Sequence, residues 1–437
     1  MTGDVEDRDP WSRWPADAGL PHTPLADQVR AERMLPVTLR PIEDARVRQY
    51  GRFEPALKHY GNAFRAGEPV FADEGLAHAW TQARRAALDL VLAAIASSAW
   101  ADSLVLRGSV LLRAWCGEAA REPGDLDFVV VPQSWDIGHP ATSAMLTGIA
   151  HAAQQTADRA GGPVRFDASG AVSDEIWTYD RVPGRRLVLP WTAGELPGGV
   201  VQLDFVFDEE LPEPPAATHL AALAASSGTA GARLLAVSPG LSLAWKLKWL
   251  VTDAYPQGKD LYDAMLLAEY GPIPYELVGA AFTTADLTEV WTPPRPGDLD
   301  QLAEQVDWEP FVADHPALPT DLDEVIGRLR RALAPMFRGL PARGEPEHPL
   351  YVACLVRRLR AERAAFAADP DLPALLGRLA DQGLSVAVAV VFIRELLGPD
   401  RCDVPTAREL LLAHPAWAER WDRGATRSYA QARLDRL

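Results

Sequence analysis

Hydrophobic residues recur at helical spacing over one long segment in the first quarter of the chain. Across residues 76–100 apolar side chains return every three or four positions, with Arg84 and Arg85 on the opposite face. This spacing predicts an amphipathic helix. A short apolar run at 103–106 then leads into a Gly-Ser pair, and residues 110–115 resume a helical pattern. The Gly-Ser pair is therefore expected directly before a second helix.

Apolar and polar residues alternate farther along the chain, with the period of two that is typical of strands. The alternation predicts strands at 125–131, 164–167, 175–182, 187–191 and 200–207. A Gly- and Pro-rich turn at 194–199 separates the last two, which indicates a hairpin with a longer loop. The next segment, 209–231, carries several Pro, Ala, Ser and Gly residues and is expected to be a linker or a weak helix.

Helical spacing dominates after Ser238-Pro239, where the serine can cap a helix and the proline can occupy its first turn. A Pro- and Gly-rich break at 339–349 divides this helical part in two. The order of helix, sheet and helices predicts an α+β protein in which a mixed-sheet core is followed by a C-terminal all-α region.

Four regions are expected from these patterns. They are a Pro- and charge-rich N-terminal arm (1–75), a sheet core (76–210), a helical domain that completes a cleft (236–340) and a C-terminal helical domain (347–437). The first thirty or so residues of the arm are expected to be poorly ordered, and a short helix is expected at 53–64.

Composition restricts the compartment and the partners. Of 437 residues, 48% are apolar and 24% charged, and the net charge of −17 disfavours coating of nucleic acid through counterion release. The three cysteines lack paired spacing, which predicts neither a disulfide framework nor a zinc site and suits a reducing cytosol. With no apolar signal segment and no apolar run long enough to span a bilayer, the protein is expected to be cytoplasmic, without a membrane partner.

Two carboxylates share one face of a predicted strand. Asp125 and Asp127 alternate with Leu126 and Phe128, so both acidic side chains are expected on the same side. Like charges this close raise the pKa of one of the pair, and a divalent cation removes the conflict. The Asp-x-Asp motif alone is weak evidence, because on an exposed strand it would simply be solvated.

Two further features strengthen the case for phosphoryl chemistry. Asp204 is a lone acid in the apolar strand 201–207, where it needs a metal, a partner or solvent. Gly108 and Ser109 supply backbone N–H groups and a hydroxyl at a helix N-terminus, an arrangement that suits a phosphate. Together with the carboxylate pair, they indicate two-metal phosphoryl transfer.

These motifs resemble the hG[G/S]…DhDh signature of the nucleotidyltransferase superfamily that includes polymerase β, and more narrowly the AbiEii/AbiGii toxin-type nucleotidyltransferases. That family continues with a helix containing Ala-x-Lys and a downstream Lys-Asp-x-x-Asp. The matching segments here are Ala244-Trp245-Lys246 and Lys259-Asp260-Leu261-Tyr262-Asp263, and the resemblance covers roughly residues 76–275. Two departures are a longer gap between Ser109 and Asp125, and Gly258 where an arginine often precedes the Lys-Asp pair.

The resemblance implies an Mg²⁺-dependent enzyme that moves a nucleoside monophosphate from a nucleoside triphosphate to an acceptor hydroxyl and releases pyrophosphate. It implies that Asp125 and Asp127 hold Mg²⁺, and that Asp204 completes the two-metal site and acts on the nucleophile. Lys246 is expected to take part in catalysis as the fourth residue of this group.

The same resemblance implies how the nucleotide binds. Gly108 and Ser109 would cradle the β- and γ-phosphates, Lys246 would neutralise their charge, and Asp260 would orient Lys246 or contact the nucleotide. Only four of the 43 Lys and Arg residues are lysines. Because the chain otherwise uses arginine, the lysine at position 246 indicates a site role, in which its compact ammonium acts as a point charge for the triphosphate. The alternative for Lys246 and Lys248 is that both extend from a core helix to solvent.

The acceptor stays open at this point. In the resembling family it can be a tRNA end, and members often serve as the toxin beside an antitoxin protein. The net charge of −17 instead favours a small cationic acceptor, as in aminoglycoside nucleotidyltransferases. The third interpretation is a catalytically silent nucleotidyltransferase fold that only binds a partner. The three intact acids argue against it.

Other conspicuous residues favour structural roles. Asp263 is expected in the first turn of a helix, where the dipole stabilises it. Arg185 and Arg186 on the hairpin could bind phosphate, but surface charge is the preferred interpretation. Tryptophans are expected in the core or at an interface, and an arginine-rich helix face is expected to be solvated. These two sets are Trp177, Trp191, Trp245 and Trp249, and Arg357, Arg358, Arg360 and Arg363.

Overall fold

A computed structural model describes most of the chain. The described residues are 9–15, 18–132, 134–178, 182–209, 211–224, 227–253, 255–283, 294, 296–318, 321–338, 360–381, 386–398 and 401–422. The predicted break at 339–349, together with Arg357 and Arg358, lies outside them.

The strands form one large sheet and two small hairpin-like pairs. They are β1 (Val47–Arg48), β2 (Gly51–Phe53), β3 (Phe64–Ala66), β4 (Val70–Phe71), β5 (Leu104–Arg107), β6 (Asp125–Val130), β7 (Val164–Phe166), β8 (Val172–Thr178), β9 (Val182–Ala193), β10 (Gly199–Val206), β11 (Ala216–Leu220) and β12 (Ala232–Ala236).

The helices of the described residues surround and follow this sheet. They are α1 (Asp27–Glu32), α2 (Glu74–Ala96), α3 (Ser109–Cys116), α4 (Pro140–Ala160), α5 (Pro239–Thr252), α6 (Gly258–Tyr270), α7 (Tyr275–Thr283), α8 (Asp298–Gln305), α9 (Glu309–Asp314), α10 (Leu322–Phe337), α11 (Arg360–Ala368), α12 (Leu372–Asp381), α13 (Val386–Leu397), α14 (Val404–Leu412) and α15 (Pro415–Asp422).

The large sheet is mixed and has the order β11-β12-β5-β6-β10-β9-β7, with β8 also pairing with β9. The predicted acids lie on the central strands β6 and β10. Strand β6 pairs antiparallel with β5 and parallel with β10. The predicted hairpin is confirmed by the antiparallel pairing of β9 with β10. The α+β fold class predicted from the sequence is likewise confirmed.

Two segments differ from the sequence expectation. The expected linker at 209–231 contributes β11 and leads into β12, and these strands extend the sheet beyond β5. Helix α4, which the sequence pattern did not single out, packs against α2. Its buried face includes small residues such as Ala150, Ala153 and Ala157, which give a weaker periodic signal than large apolar side chains.

The N-terminal segment is folded where the sequence suggested disorder. Within the described residues from 9 onward, Trp11 and Trp14 lie in a small core with Leu35 and Leu39. The expected helix at 53–64 is wrong: β2, a single 3₁₀ turn and β3 occupy this region. Prolines separate the apolar residues of this N-terminal segment along the sequence. These residues therefore pack into a local core without showing a helical or strand period.

The apolar core is continuous from the sheet into the helices that follow it. One cluster reaches from Ile42 through the sheet to Met336 in α10. A separate cluster joins the described C-terminal helices from Leu375 to Trp421. Among the helices described, none combines the length and hydropathy that a membrane crossing requires.

Candidate active site

Strands β6 and β10 bring the three predicted carboxylates to one wall of a cleft. Their parallel register sets Asp204 beside Asp127 and Gln202 beside Asp125, and neighbouring strands lie about 4.8 Å apart. All three aspartates line a cleft of about 580 Å³. We refer to the surface formed by Asp125, Asp127 and Asp204 as the sheet wall.

The Gly-Ser pair joins the sheet wall at the start of α3. Gly108 has φ +87°, and a Cβ atom there would lie 2.3 Å from Oδ2 of Asp127, so only glycine fits beside this carboxylate. Ser109 is 1% exposed, and its hydroxyl lies 3.4 Å from Oδ1 of Asp125. The Gly108 backbone therefore faces the cleft, whereas the Ser109 hydroxyl is directed at a carboxylate.

Burial and like charges act on the two strand aspartates differently. Burial and the negative charges of Asp125 and Asp204 raise the pKa of Asp127 to about 7. For Asp125 burial also opposes ionisation, but the positive charges of Lys259 and Arg121 outweigh it and lower the pKa. Ionisation of Asp127 is thus less favourable than ionisation of Asp125, and an added positive charge would favour it.

The third carboxylate has a cationic partner of its own. Nε and Nη2 of Arg186 donate to Asp204 at 2.9 and 2.7 Å, and Nη1 lies 3.4 Å from Glu54. The interpretation of Arg186 as surface charge is therefore wrong: it is 3% exposed and faces Asp204 across the β9–β10 ladder. Its neighbour Arg185 contacts the Ser173 hydroxyl at 2.6 Å.

The described residues contain no group of three or more acidic, His or Cys side chains arranged around one cation position. Asp125 and Asp127 nevertheless fit a divalent cation, because both are carboxylates on one strand face and the like charges between them favour protonation of Asp127. Whether Asp204 joins them as a ligand stays a prediction, since its carboxylate is bonded to Arg186.

A second part of the cleft lining, formed by α5, α6 and the segment before β6, carries a matched set of charges. Nζ of Lys246 lies 2.6 Å from Asp260 and 3.2 Å from Asp263. Arg121 binds Asp263 with two hydrogen bonds of 3.1 Å. We refer to Lys246, Asp260, Asp263 and Arg121 as the helical wall.

Burial opposes the charges of Lys246, Asp263 and Arg121, but the opposite charges around each of them outweigh it. They raise the pKa of Lys246 and lower the pKa of Asp263. The expectation that Asp263 lies in the first turn of its helix is wrong, since α6 begins at Gly258 and Asp263 pairs with Arg121. Lys248 lies away from the cleft and donates to the carbonyl of Ala281 at 2.9 Å.

A buried arginine links the two walls. Arg107 precedes Gly108 on β5, and its guanidinium lies 5.3 and 5.4 Å from the ring centres of Trp245 and Trp249. These indoles are almost fully buried, which fits the core role predicted for them. The partners of Arg107 could not be read from local spacing, because β5 and α5 are far apart along the chain.

The N-terminal segment forms a third part of the cleft surface. Glu54 lies 3.2 Å from Arg65, in addition to its contact with Arg186. Phe53 makes an edge-to-face contact of 5.5 Å with Tyr255, and both rings are about half exposed. The sequence analysis missed Phe53, Glu54 and Arg65 because it treated 1–75 as an arm.

The α+β sheet, the strand carboxylates and the glycine-initiated helix beside them are the features expected of a nucleotidyltransferase core. A family model described as "Nucleotidyl transferase AbiEii toxin, Type IV TA system" matches residues 90–334. This match spans more than half of the chain, so the protein belongs to the AbiEii nucleotidyltransferase family and is a nucleotidyltransferase. The resemblance inferred from the motifs is thereby confirmed.

Comparison with solved structures gives a more distant likeness. The chain is similar to MenT4, a nucleotidyltransferase toxin from Mycobacterium tuberculosis H37Rv, with 20% sequence identity and a TM-score of 0.43. The alignment covers 68% of this chain and 95% of MenT4. No curated protein sequence matches significantly. The N-terminal segment that contributes Phe53, Glu54 and Arg65 to the cleft lies outside the family match.

Proposed function

We propose that this enzyme transfers a nucleoside monophosphate from a nucleoside triphosphate to the terminal hydroxyl of an RNA, with a tRNA end as the first candidate. The observation that carries the proposal is the pair of walls that face one cleft. One wall has carboxylates suited to a cation, and the other has a buried lysine suited to phosphate. This combination supports phosphoryl chemistry on a polyanionic substrate.

Asp125 and Asp127 are the residues that would hold Mg²⁺. A divalent cation bound there would supply charge stabilisation for the phosphates and for the attacking oxygen. The sequence assigns Asp204 to the same cation site and to the nucleophile, and its bonding to Arg186 makes that role conditional on release of the arginine. The acceptor hydroxyl would attack the α-phosphorus, and pyrophosphate would leave.

The helical wall and the Gly108 turn would receive the triphosphate. The N-terminus of α3 presents backbone N–H groups and the positive end of its dipole beside Gly108. Lys246 would neutralise charge on the β- and γ-phosphates, while Asp260, at 2.6 Å, would keep its ammonium in position. Ser109 would act on Asp125 through its hydroxyl and would support the phosphates through its backbone N–H.

Two exposed rings favour RNA over a small acceptor. Phe53 and Tyr255 line the cleft from different segments, and half of each ring is open to solvent. Aromatic side chains of this kind stack unpaired bases of single-stranded ends. A small cationic acceptor remains the second candidate because the net charge of −17 would attract it.

The acceptor and the reaction can be identified in one labelling experiment. The full chain is incubated with Mg²⁺ and each α-³²P-labelled nucleoside triphosphate, with either total tRNA or a metabolite extract as acceptor. Label in RNA supports the proposal, and label only in small molecules supports the second candidate. The γ-labelled nucleotide should leave no label on the acceptor, since that phosphate departs in pyrophosphate. No transfer to any acceptor would contradict both.

Two variants complete this experiment. Asp127→Asn should abolish transfer, whereas Asp158→Asn, which changes an exposed aspartate on α4 outside the cleft, should transfer as the wild type does. The family description further suggests that the protein acts as a toxin. We propose that a partner antitoxin accompanies it, which co-expression of neighbouring genes with a growth readout would test.

A further inference from the structure

Arg186 is fixed on several sides at the floor of the cleft. Two of its nitrogens bind the two oxygens of Asp204, and the third faces Glu54 at 3.4 Å. The side-chain oxygen of Gln202, in the amide orientation that satisfies its hydrogen bonds, accepts from Nε and Nη2 of Arg186 at 3.2 Å. Because Arg186 and Asp204 stand opposite each other on adjacent strands, their contact is built into the sheet register.

The partners of Arg186 come from two different parts of the chain. Asp204 belongs to the sheet, whereas Glu54 follows β2 in the N-terminal segment and is also paired with Arg65. Rotation of Arg186 away from Asp204 would therefore leave a buried carboxylate without its counterion. Removing one partner of a buried ion pair is strongly unfavourable, which argues against an easily displaced arginine.

The same contact uses the oxygens that a metal would need. A carboxylate bound by both arms of a guanidinium offers its lone pairs to the arginine. Asp125 and Asp127 have no such bidentate arginine among the described contacts. The sheet wall thus contains a pair of carboxylates suited to a cation and one carboxylate that already has a cation.

We propose that Arg186 is a positioning residue that keeps Asp204 as its own counterion, so that the enzyme binds its divalent cation through Asp125 and Asp127 without Asp204. This inference rests on the proposed metal-dependent function and departs from the three-carboxylate site that the sequence suggests. Arg186 then supplies a fixed positive charge at the place where a third ligand was expected.

The test is Mn²⁺ binding by the full-length chain, measured calorimetrically without turnover. Asp127→Asn should weaken Mn²⁺ binding at least tenfold. The double variant Arg186→Gln with Asp204→Asn removes both charges of the pair, and it should bind Mn²⁺ within twofold of the wild type. Arg186→Gln alone frees Asp204, and it should bind Mn²⁺ severalfold more tightly or take up a second equivalent.

Weakening of Mn²⁺ binding in the double variant to the level of Asp127→Asn, with an unchanged circular dichroism spectrum, would overturn the inference. Absence of Mn²⁺ uptake by the wild type, even with nucleotide present, would instead contradict the metal-dependent function itself.

A second measurement needs no variant. In wild-type crystals soaked with Mn²⁺ and a non-hydrolysable nucleotide, the anomalous peak should contact Asp125 and Asp127 while Arg186 stays on Asp204. A manganese ion within coordinating distance of Asp204 would overturn the inference whatever the variants do.

Discussion

The two walls of the cleft are both buried and both charged, yet the charges around Asp127 act in the opposite direction from those around Lys246 and Asp263. On the helical wall Lys246 and Arg121 face Asp260 and Asp263, and for Lys246 and Asp263 the opposite charges outweigh the cost of burial and stabilise the ionised forms. On the sheet wall the charges around Asp127 add to the cost of burial and raise its pKa to about 7.

This difference separates a site that is complete from one that awaits a ligand. The helical wall has its counterions within the chain, which makes it a rigid support for Lys246. At Asp127 the positive charges of Arg107 and Lys259 do not outweigh burial and the neighbouring carboxylates, so a bound cation would stabilise the folded enzyme as well as bind the substrate. The buried negative charge of Asp127 lowers the stability of the fold, and a bound metal would remove this cost. Such a cost indicates a functional site, and residue spacing alone does not reveal it.

The largest expected effect comes from breaking the sheet wall. Asp127→Asn removes one of the two carboxylates suited to the cation, and nucleotidyl transfer should fall by roughly 10³-fold, equivalent to about 4 kcal/mol of transition-state stabilisation. Initial rates with α-³²P-labelled nucleotide and RNA measure this. A rate within tenfold of the wild type would contradict the role of Asp127.

Breaking the helical wall should instead cost stability. Asp263→Asn leaves Arg121 and Lys246 without one shared counterion in a buried position, and the free energy of unfolding should fall by about 3 kcal/mol. Urea denaturation at pH 8 measures the change, with Asp158→Asn as the control on an exposed site. An unchanged midpoint for Asp263→Asn would show that the helical wall is not a coupled network.

A smaller effect is expected where the glycine turn meets the sheet wall. Gly108→Ala would place a Cβ 2.3 Å from the Asp127 carboxylate and should lower transfer by roughly 10 to 100-fold, since one to three kcal/mol of strain falls on this contact. Gly161 also has a positive φ, but its added Cβ would meet nothing within 4 Å. Gly161→Ala should therefore keep its transfer rate, and equal losses in both variants would refute the contact argument.

The smallest effect concerns the rim of the cleft. Phe53→Ala and Tyr255→Ala should each raise the KM for RNA about fivefold, the equivalent of about 1 kcal/mol of lost stacking, with little change in the KM for the nucleotide. Tyr270→Ala removes a ring of similar exposure that does not line the cleft, so its KM values should match the wild type. An increase confined to the nucleotide KM would assign the rings to the triphosphate instead.

Strand alternation was sufficient to predict which acids share the sheet wall. Asp125, Asp127 and Asp204 lie on the strands where their spacing suggested, and the structure adds the register that sets Asp204 beside Asp127. Gly108 also stands before a helix as expected. These features depend on neighbours within a few residues, which a single sequence displays directly.

The partners of these residues could not be predicted in the same way. Arg121 reaches Asp263 across 142 positions, and Glu54 meets Arg186 from a segment that shows no regular periodicity. Such pairs are set by packing between distant elements, and one sequence without homologues carries no signal for them. The interpretation of Arg186 as surface charge failed for this reason.

The most direct test of the unfavourable negative charge at Asp127 is the free energy of unfolding of Asp127→Asn, measured in urea with a metal chelator. Because the pKa of Asp127 rises from 3.8 to about 7 in the folded state, the folded state binds this proton more tightly, and the contribution of Asp127 to stability falls as the pH rises from 4 through 7. At pH 8 the variant should be more stable than the wild type by on the order of 2 to 4 kcal/mol, and by less at pH 5. A variant that is less stable than the wild type at pH 8 would contradict the account.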